Sequence, residues 1–205
     1  MPSYELLYFD ARGRCEDARF LFALAGVEYK DIRFTEEEWP ISFKSKALYG
    51  VVPNLTVDGK TLSMTLAISN YLAREFGYYG KSNWESAQID VITNALHEVI
   101  GLYYTHVLGE NEDAKAETLK NFTSRVESYG VAMEKGLKEN NGGDGYLVGN
   151  SLTLADIAFF NAYSEILTLK ADALDNAPKL KALMGRVSAN EKIAEWIKKR
   201  PKTQY

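Results

Sequence analysis

The sequence predicts two architectures in one chain: a mixed α/β domain over residues 1–80 and an all-helical domain over residues 82–205. Three observations carry that reading. Strand-like and helix-like hydrophobic periods alternate over the first 80 residues, only helical periods follow, and a short polar connector, Gly77 to Asn83, separates them. The composition agrees with compact globular domains. At 205 residues, 46% hydrophobic, 25% charged and with only 5 Pro and 15 Gly, the chain is too rich in core formers for disorder and too aperiodic for collagen.

The elements follow in order. Ser3 to Phe9 is short, apolar and aromatic, as suits a buried strand, and Asp10-Ala11-Arg12-Gly13 breaks it. Arg14 to Ala25 places Ala18, Leu21, Phe22 and Ala25 at helical spacing, with Gly26 as a C-terminal stop. Tyr29 to Phe34 reads as a second strand. Thr35 to Gly50 has weak periodicity and is expected to be irregular, with one short helix. Asn54 to Val57 and Lys60 to Ser63 flank Asp58-Gly59, a pair that tolerates the positive φ angles of a type I′ hairpin turn. A helix from Thr65 to Phe76 then runs to Gly77. The order βαβ, irregular segment, ββα is that of a thioredoxin-like domain. Pro53 stands just before the hairpin, where either peptide isomer is compatible with the sequence.

Beyond the connector, helices are expected from Trp84 to about Leu108 and from about Asp113 to Glu139, with a loop at Asn140 to Gly145. Thr153-Leu154-Ala155-Asp156 has the form of a capping box, Thr153 as N-cap and Asp156 reaching back to it, so a helix starts there. Pro178 opens another, and Glu191 to Lys199 is a last helix stopped by Pro201.

Charge and cysteine usage exclude several function classes. Lys+Arg 24 against Asp+Glu 28 leaves a net charge of −4, which argues against a protein held to nucleic acid by general charge. No run approaches the ~18 apolar residues of a membrane span, and the opening residues lack the pattern of a secretory leader. One cysteine, Cys15, fits a reducing compartment, so the cytoplasm is the expected location. His97 and His106 are the two histidines, no motif surrounds either, and no metal is expected.

Specific residues narrow the function. Tyr8-Phe9 precedes Arg12-Gly13-Arg14; Glu38-Trp39-Pro40 follows; Val52-Pro53 stands before Asp58-Gly59-Lys60; Tyr71 to Gly77 reads YLAREFG; and the chain closes on Trp196 to Pro201. In that order and spacing, with the Thr153 capping box, the chain resembles the sigma class of the cytosolic glutathione transferases over nearly its whole length. That class includes the glutathione-dependent prostaglandin D synthases and the cephalopod lens S-crystallins.

The resemblance implies the glutathione transferase fold, a homodimer, glutathione as co-substrate and a small hydrophobic electrophile held against helical side chains. It implies that the Tyr8 hydroxyl hydrogen-bonds the glutathione sulfur. The chemistry is direct: the thiolate is the nucleophile, a free thiol titrates near ~8.5, and a phenol aimed at sulfur stabilises the anion. A two-unit fall in that pKa needs only about 2.7 kcal/mol. Arg14 would support Tyr8 electrostatically, whereas Arg12 and Arg19 read as solvated charges. Trp39 and Lys44 would meet the glycine end of glutathione, with packing as the alternative for Trp39 and Lys46 as a neighbour of Lys44. Val52 would offer its backbone to the cysteinyl part, and Thr65, at a helix N-terminus, would hold the γ-glutamyl carboxylate.

The chain departs from that pattern at Val51 and Met64, where the class usually carries side chains that hydrogen-bond glutathione. At ~1.5–3 kcal/mol for each missing bond to a charged partner, binding would weaken by a factor on the order of 10² to 10⁴. Two rivals follow: a crystallin-like or ligand-carrying relative of weak or absent turnover, and a thiol-disulfide oxidoreductase built on Cys15. Tyr103, Tyr104 and His106 are candidates for the second-substrate side, with core packing as their alternative. Asp90, Asn94, His97 and Glu98 stand where the class often places acidic residues.

Overall fold

The computed structural model describes residues 2–203. The chain divides into two compact units, the first running to Gly77 and the second covering Tyr78–Asn190.

In the first unit, β1 (Tyr4–Phe9), α1 (Glu16–Ala25) and β2 (Lys30–Phe34) form the opening βαβ unit, and β3 (Asn54–Val57), β4 (Lys60–Ser63) and α2 (Thr65–Phe76) complete it. The strands make one mixed sheet in the order β2-β1-β3-β4, with β1 and β2 parallel and the other pairs antiparallel. This is the thioredoxin-like arrangement expected from the order of elements. Asp58 at φ 47° and Gly59 at φ 80° both occupy the left-handed region that the hairpin turn requires. α1 starts two residues later than expected, because Gly13–Cys15 first make a separate 3₁₀ turn. Over residues 35–50 the single expected helix is replaced by two short turns. One, Trp39–Phe43, is closed by the Lys44 N–H on the Trp39 carbonyl at 2.9 Å, five residues back, and the other is Leu48–Gly50.

The second unit contains α3 (Asn83–Leu108), α4 (Glu112–Glu139), α5 (Leu154–Leu169) and α6 (Pro178–Ser188). α5 is apolar nearly all round, with Leu154, Ile157, Phe159, Phe160, Tyr163 and Ile166 buried, as expected of a helix at the centre of a bundle. Its capping box forms as the sequence implies: the Thr153 N–H donates to Asp156 Oδ2 at 2.9 Å. The other oxygen, Oδ1, accepts the Leu147 N–H at 2.8 Å, so the wholly buried carboxylate also pins the preceding loop. Burial pushes its pKa up to about 6, against the lowering effect of those hydrogen bonds. α6 begins at Pro178, but Ala177 before it offers no side-chain acceptor. Glu134 of α4 takes that role from 45 residues away: Oε1 accepts the Lys179 N–H at 3.2 Å, and Oε2 the Leu180 N–H at 2.9 Å.

The reading of residues 82–205 as one helical domain needs correction at its end. α7 (Glu191–Lys199) and the described residues after it, to Thr203, belong to the first unit. The cause is Glu16, whose side chain is wholly buried at the start of α1. Its Oε1 accepts Trp196 Nε1–H and Arg200 Nη1–H, both at 2.8 Å, and its Oε2 lies 3.2 Å from Arg19 Nη1. A buried carboxylate needs charged or strong donors, and two of its three come from the C-terminal segment. Ile193, fully buried, and Lys192 Nζ, 2.7 Å from the Leu24 carbonyl, complete the attachment.

Candidate active site

The register of the sheet gathers the sequence-predicted residues. β1 pairs Leu7 with Asn54 of β3, and β3 pairs Asn54 with Ser63 of β4. One row therefore crosses three strands, and the next residue outward on each is Tyr8, Pro53 and Met64. β2 runs parallel to β1 and ends at Phe34, opposite Phe9, so the segment after it leaves from the same end of the sheet. Trp39 on that segment stacks on Phe34, centroids 5.3 Å apart and planes 13° apart, and lies 5.6 Å from Phe9. These ring contacts fix the indole against the end of the sheet.

Tyr8 is half-buried, and its hydroxyl oxygen accepts the backbone N–H of Arg14 at 3.2 Å. Burial raises its pKa, outweighing the opposite effect of that bond and of the Arg14 and Arg19 charges. The phenol is thus held protonated, with one oxygen lone pair engaged by Arg14 and its proton available to an acceptor. Arg14 reaches Tyr8 through the main chain, a contact that side-chain reasoning did not anticipate. Gly13 makes the contact sterically feasible. Its φ is +50°, and a Cβ there would stand 2.7 Å from the Tyr8 hydroxyl.

The other candidate residues adjoin the same ends of the strands or the segment after β2. Val52–Pro53 is a cis peptide. Val51 is 38% exposed and Met64 53% exposed, both apolar. Met64 sits at φ 72°, ψ 126°, a backbone conformation that a side-chain-bearing residue rarely adopts. It occupies the N-cap of α2 without a capping side chain, so the first N–H groups of that helix, from Thr65 onward, lack a side-chain acceptor from the cap position. Lys44 is exposed, one turn beyond Trp39.

Asn54, which sequence reasoning passed over as the first residue of a strand, holds the turn of the candidate site. It is buried, its Oδ1 accepts the Leu48 N–H at 2.7 Å, and its Nδ2 faces the carbonyls of Val51 at 2.7 Å and Pro53 at 2.9 Å. One amide thus ties together both flanks of the Val52–Pro53 turn. A polar side chain beside an apolar strand was the available signal. Arg19 also differs from the sequence reading: it is wholly buried, not solvated, with Nη1 2.7 Å from the Ala11 carbonyl and Nε 3.2 Å from Asp31 Oδ2.

Cys15 is buried, and burial pushes its thiol up to about 12, which removes the thiolate that an oxidoreductase would need at neutral pH. In the second unit, Tyr103 is a core residue whose hydroxyl is 3.0 Å from Thr168 Oγ1. His106 Nδ1 is 3.0 Å from the Lys115 carbonyl. The Asp90 carboxylate accepts the Tyr79 hydroxyl, and Glu98 holds Arg125 at 2.9 Å and the Tyr129 hydroxyl at 2.7 Å. Among the described residues no group of three or more His, Cys, Asp or Glu is placed to hold a metal ion.

Comparison with known proteins identifies the family. Residues 4–74 match the glutathione S-transferase N-terminal domain family, and residues 97–200 the C-terminal domain family. The chain is 39% identical over 206 residues to S-crystallin SL11 of Nototodarus sloanii, covering 100% of both chains. It is also 39% identical over 203 residues to the hematopoietic prostaglandin D synthase of Gallus gallus, covering 99% of each. Among solved structures, the monomeric glutathione S-transferase Na-GST-3 of Necator americanus superposes with a TM-score of 0.90 at 36% identity, over 99% of this chain and 100% of that one. With both domain models matched and full-length relatives at this identity, the chain belongs to the glutathione S-transferase family.

Proposed function

We propose that this chain is a sigma-like glutathione transferase of the cytoplasm that conjugates the glutathione thiolate to small hydrophobic electrophiles, in the manner of a detoxification enzyme. The observation that carries the reading is Tyr8. Its hydroxyl is anchored by the Arg14 N–H and kept protonated by burial, and its position at the end of β1 is in register with Pro53 before β3 and Met64 after β4. A neutral phenol in that state donates its proton to sulfur as a hydrogen bond and does not itself take the thiol proton, which leaves to solvent. The thiolate then attacks the electrophilic carbon and the leaving group departs with the displaced electron pair.

The residues around it divide the rest of the tripeptide. Val52 offers its backbone to the cysteinyl part. Trp39 and Lys44 meet the glycine carboxylate. Thr65, with the uncapped start of α2, takes the γ-glutamyl carboxylate. Val51 and Met64 surround the ligand without donating from their side chains, so glutathione is held loosely.

A homodimer is part of this reading. Tyr49, 78% exposed, and Val51 in the first unit, and the groove of about 700 Å³ between α3 and α4 in the second, are apolar surfaces of the kind subunits cover. Light scattering at micromolar concentration tests it, and a single 23.0 kDa species contradicts it.

A second reading has its own observation. Val51 and Met64 are exposed apolar residues where glutathione needs donors, which favours a crystallin-like or ligand-carrying protein that keeps the fold without useful turnover. Initial rates of conjugation to a chromogenic aryl halide, across glutathione concentrations, separate the two. A saturable rate that falls about tenfold or more in Tyr8→Phe supports the transferase. No rate above the uncatalysed background supports the carrier.

A further inference from the structure

The segment from Leu48 to Pro53 has little main-chain support of its own. Tyr49 and Gly50 take positive φ angles of 58° and 64°, and the Val51 N–H reaches the Leu48 carbonyl only at 3.5 Å. A side chain holds the segment instead. Asn54, 3% exposed, starts β3 in register with Leu7 of β1 and Ser63 of β4, so the sheet fixes the backbone that carries it. Its amide grips both ends of the segment: Oδ1 takes the Leu48 N–H at 2.7 Å, and Nδ2 donates to the Val51 carbonyl at 2.7 Å and the Pro53 carbonyl at 2.9 Å. These partners decide which end of the amide is which, because an N–H only donates and a carbonyl only accepts.

The bond to Val51 sets the direction of the next N–H. The Val51–Val52 peptide is trans, so its C=O and N–H point opposite ways. With the carbonyl drawn onto the buried amide, the Val52 N–H faces away from Asn54. Val52 is half-buried, and among the described residues no acceptor takes that N–H. A main-chain donor left open in this way is available to an acceptor from outside the chain.

We infer that Asn54 is a positioning residue for glutathione: it sets the plane of the Val51–Val52 peptide so that the Val52 N–H meets the main-chain carbonyl of the cysteinyl part. The inference rests on the glutathione reading. It gives Asn54 no contact with the tripeptide, in keeping with its burial, and it explains why an amide stands at the start of an otherwise apolar strand. Oxygens alone would meet the two carbonyls with no donor, and a hydrocarbon would leave them unbonded.

Titration with S-methylglutathione, together with steady-state rates against glutathione and a chromogenic aryl halide, tests the inference in the parent, Asn54→Ala and Asn54→Thr. Alanine removes every bond of the amide. Threonine, a strand former that keeps one hydroxyl, is the second variant, and circular dichroism verifies the fold of both. The dissociation constant of S-methylglutathione and the KM for glutathione are expected to rise about tenfold, while kcat at saturating glutathione and the KM for the aryl halide stay within about twofold. A residue that only stabilises the fold would lower kcat with the folded fraction and leave both glutathione constants unchanged, and that pattern overturns the inference. So does failure of both variants to fold. Where the parent binds without turnover, the dissociation constants alone decide. A parent that does not bind S-methylglutathione at millimolar concentration overturns the glutathione reading and this inference together, whereas a parent that binds and folded variants that bind equally well overturn only the role of Asn54.

Discussion

Trp196 donates its indole N–H to Glu16 Oε1 at 2.8 Å, closing a hydrogen bond across 180 residues of sequence. The same oxygen takes Arg200, so one buried carboxylate fastens the C-terminal segment to the first helix. Glu16→Leu leaves Arg19 buried with one fewer counter-charge and removes the acceptor of two donors. Loss of a buried partner of this kind costs about 3–5 kcal/mol. The expected outcome is a large fall in the denaturant midpoint, with amide exchange accelerating first in α7. Unchanged protection of α7 would show that Ile193 and Lys192 suffice to hold it.

Gly13→Ala tests the approach of the backbone to Tyr8. The added methyl stands 2.7 Å from the hydroxyl at a φ of +50°, so either the tyrosine or the turn must move. Strain at such a position is worth about 1–3 kcal/mol. Conjugation activity should fall with that of Tyr8→Phe, and Tyr8→Phe, which removes an acceptor from the part-buried Arg14 N–H, should itself lose about 1 kcal/mol of stability. A Gly13→Ala variant with parental activity would refute the contact.

Restoring donors at the apolar edge should strengthen glutathione binding. Met64→Gln and Val51→Gln each add a side-chain amide where the chain now carries an exposed hydrocarbon. Each new bond to a charged group is worth ~1.5–3 kcal/mol, so the half-saturating glutathione concentration should drop about tenfold or more in each variant. A drop in kcat without any change in KM would place these residues outside the tripeptide site.

Asp156 sets a pH dependence whose sign follows from its burial. Its pKa is about 6 folded against 3.8 as its ordinary value. Between those limits the folded chain retains a proton that the unfolded chain has released, so stability falls as pH rises through the window. The contribution present below pH 3.8 is lost above about pH 6, a difference of roughly 3 kcal/mol. Urea midpoints measured across that window should show this slope in the parent. Asp156→Asn should flatten it and be less stable throughout, because one of the two N–H donors from Leu147 and Thr153 then meets an amide NH₂. A slope retained in Asp156→Asn assigns the titration to another group.

The parts of the fold that rest on local chemistry were legible in the sequence. Asp58-Gly59 makes its hairpin because both residues take positive φ, and Thr153 finds Asp156 three residues on. Other parts depend on partners far along the chain, which no local pattern records. Glu134 caps α6 across 45 residues, and Arg19, read as a solvated charge, is buried because Asp31 of β2 meets it as well as Glu16 one turn back on its own helix. The site was half legible. Tyr8 stood out through its spacing to Arg14 and the family resemblance, but the Arg14 main-chain bond, the steric demand on Gly13 and the Asn54 tie emerge only when strand register brings them together.

Because α7 completes a unit whose other elements end at Gly77, the order of synthesis is not the order of completion. Tyr78–Asn190 is contiguous and has all its elements once Asn190 has left the ribosome. The first unit waits for the last residues, so Glu16 emerges early and spends most of translation without Trp196 and Arg200. Nascent chains stalled with the chain exposed only as far as residue 190 should therefore resist protease over Tyr78–Asn190 while remaining cleavable near α1. Equal protection of both regions would show that the first unit closes without its C-terminal helix.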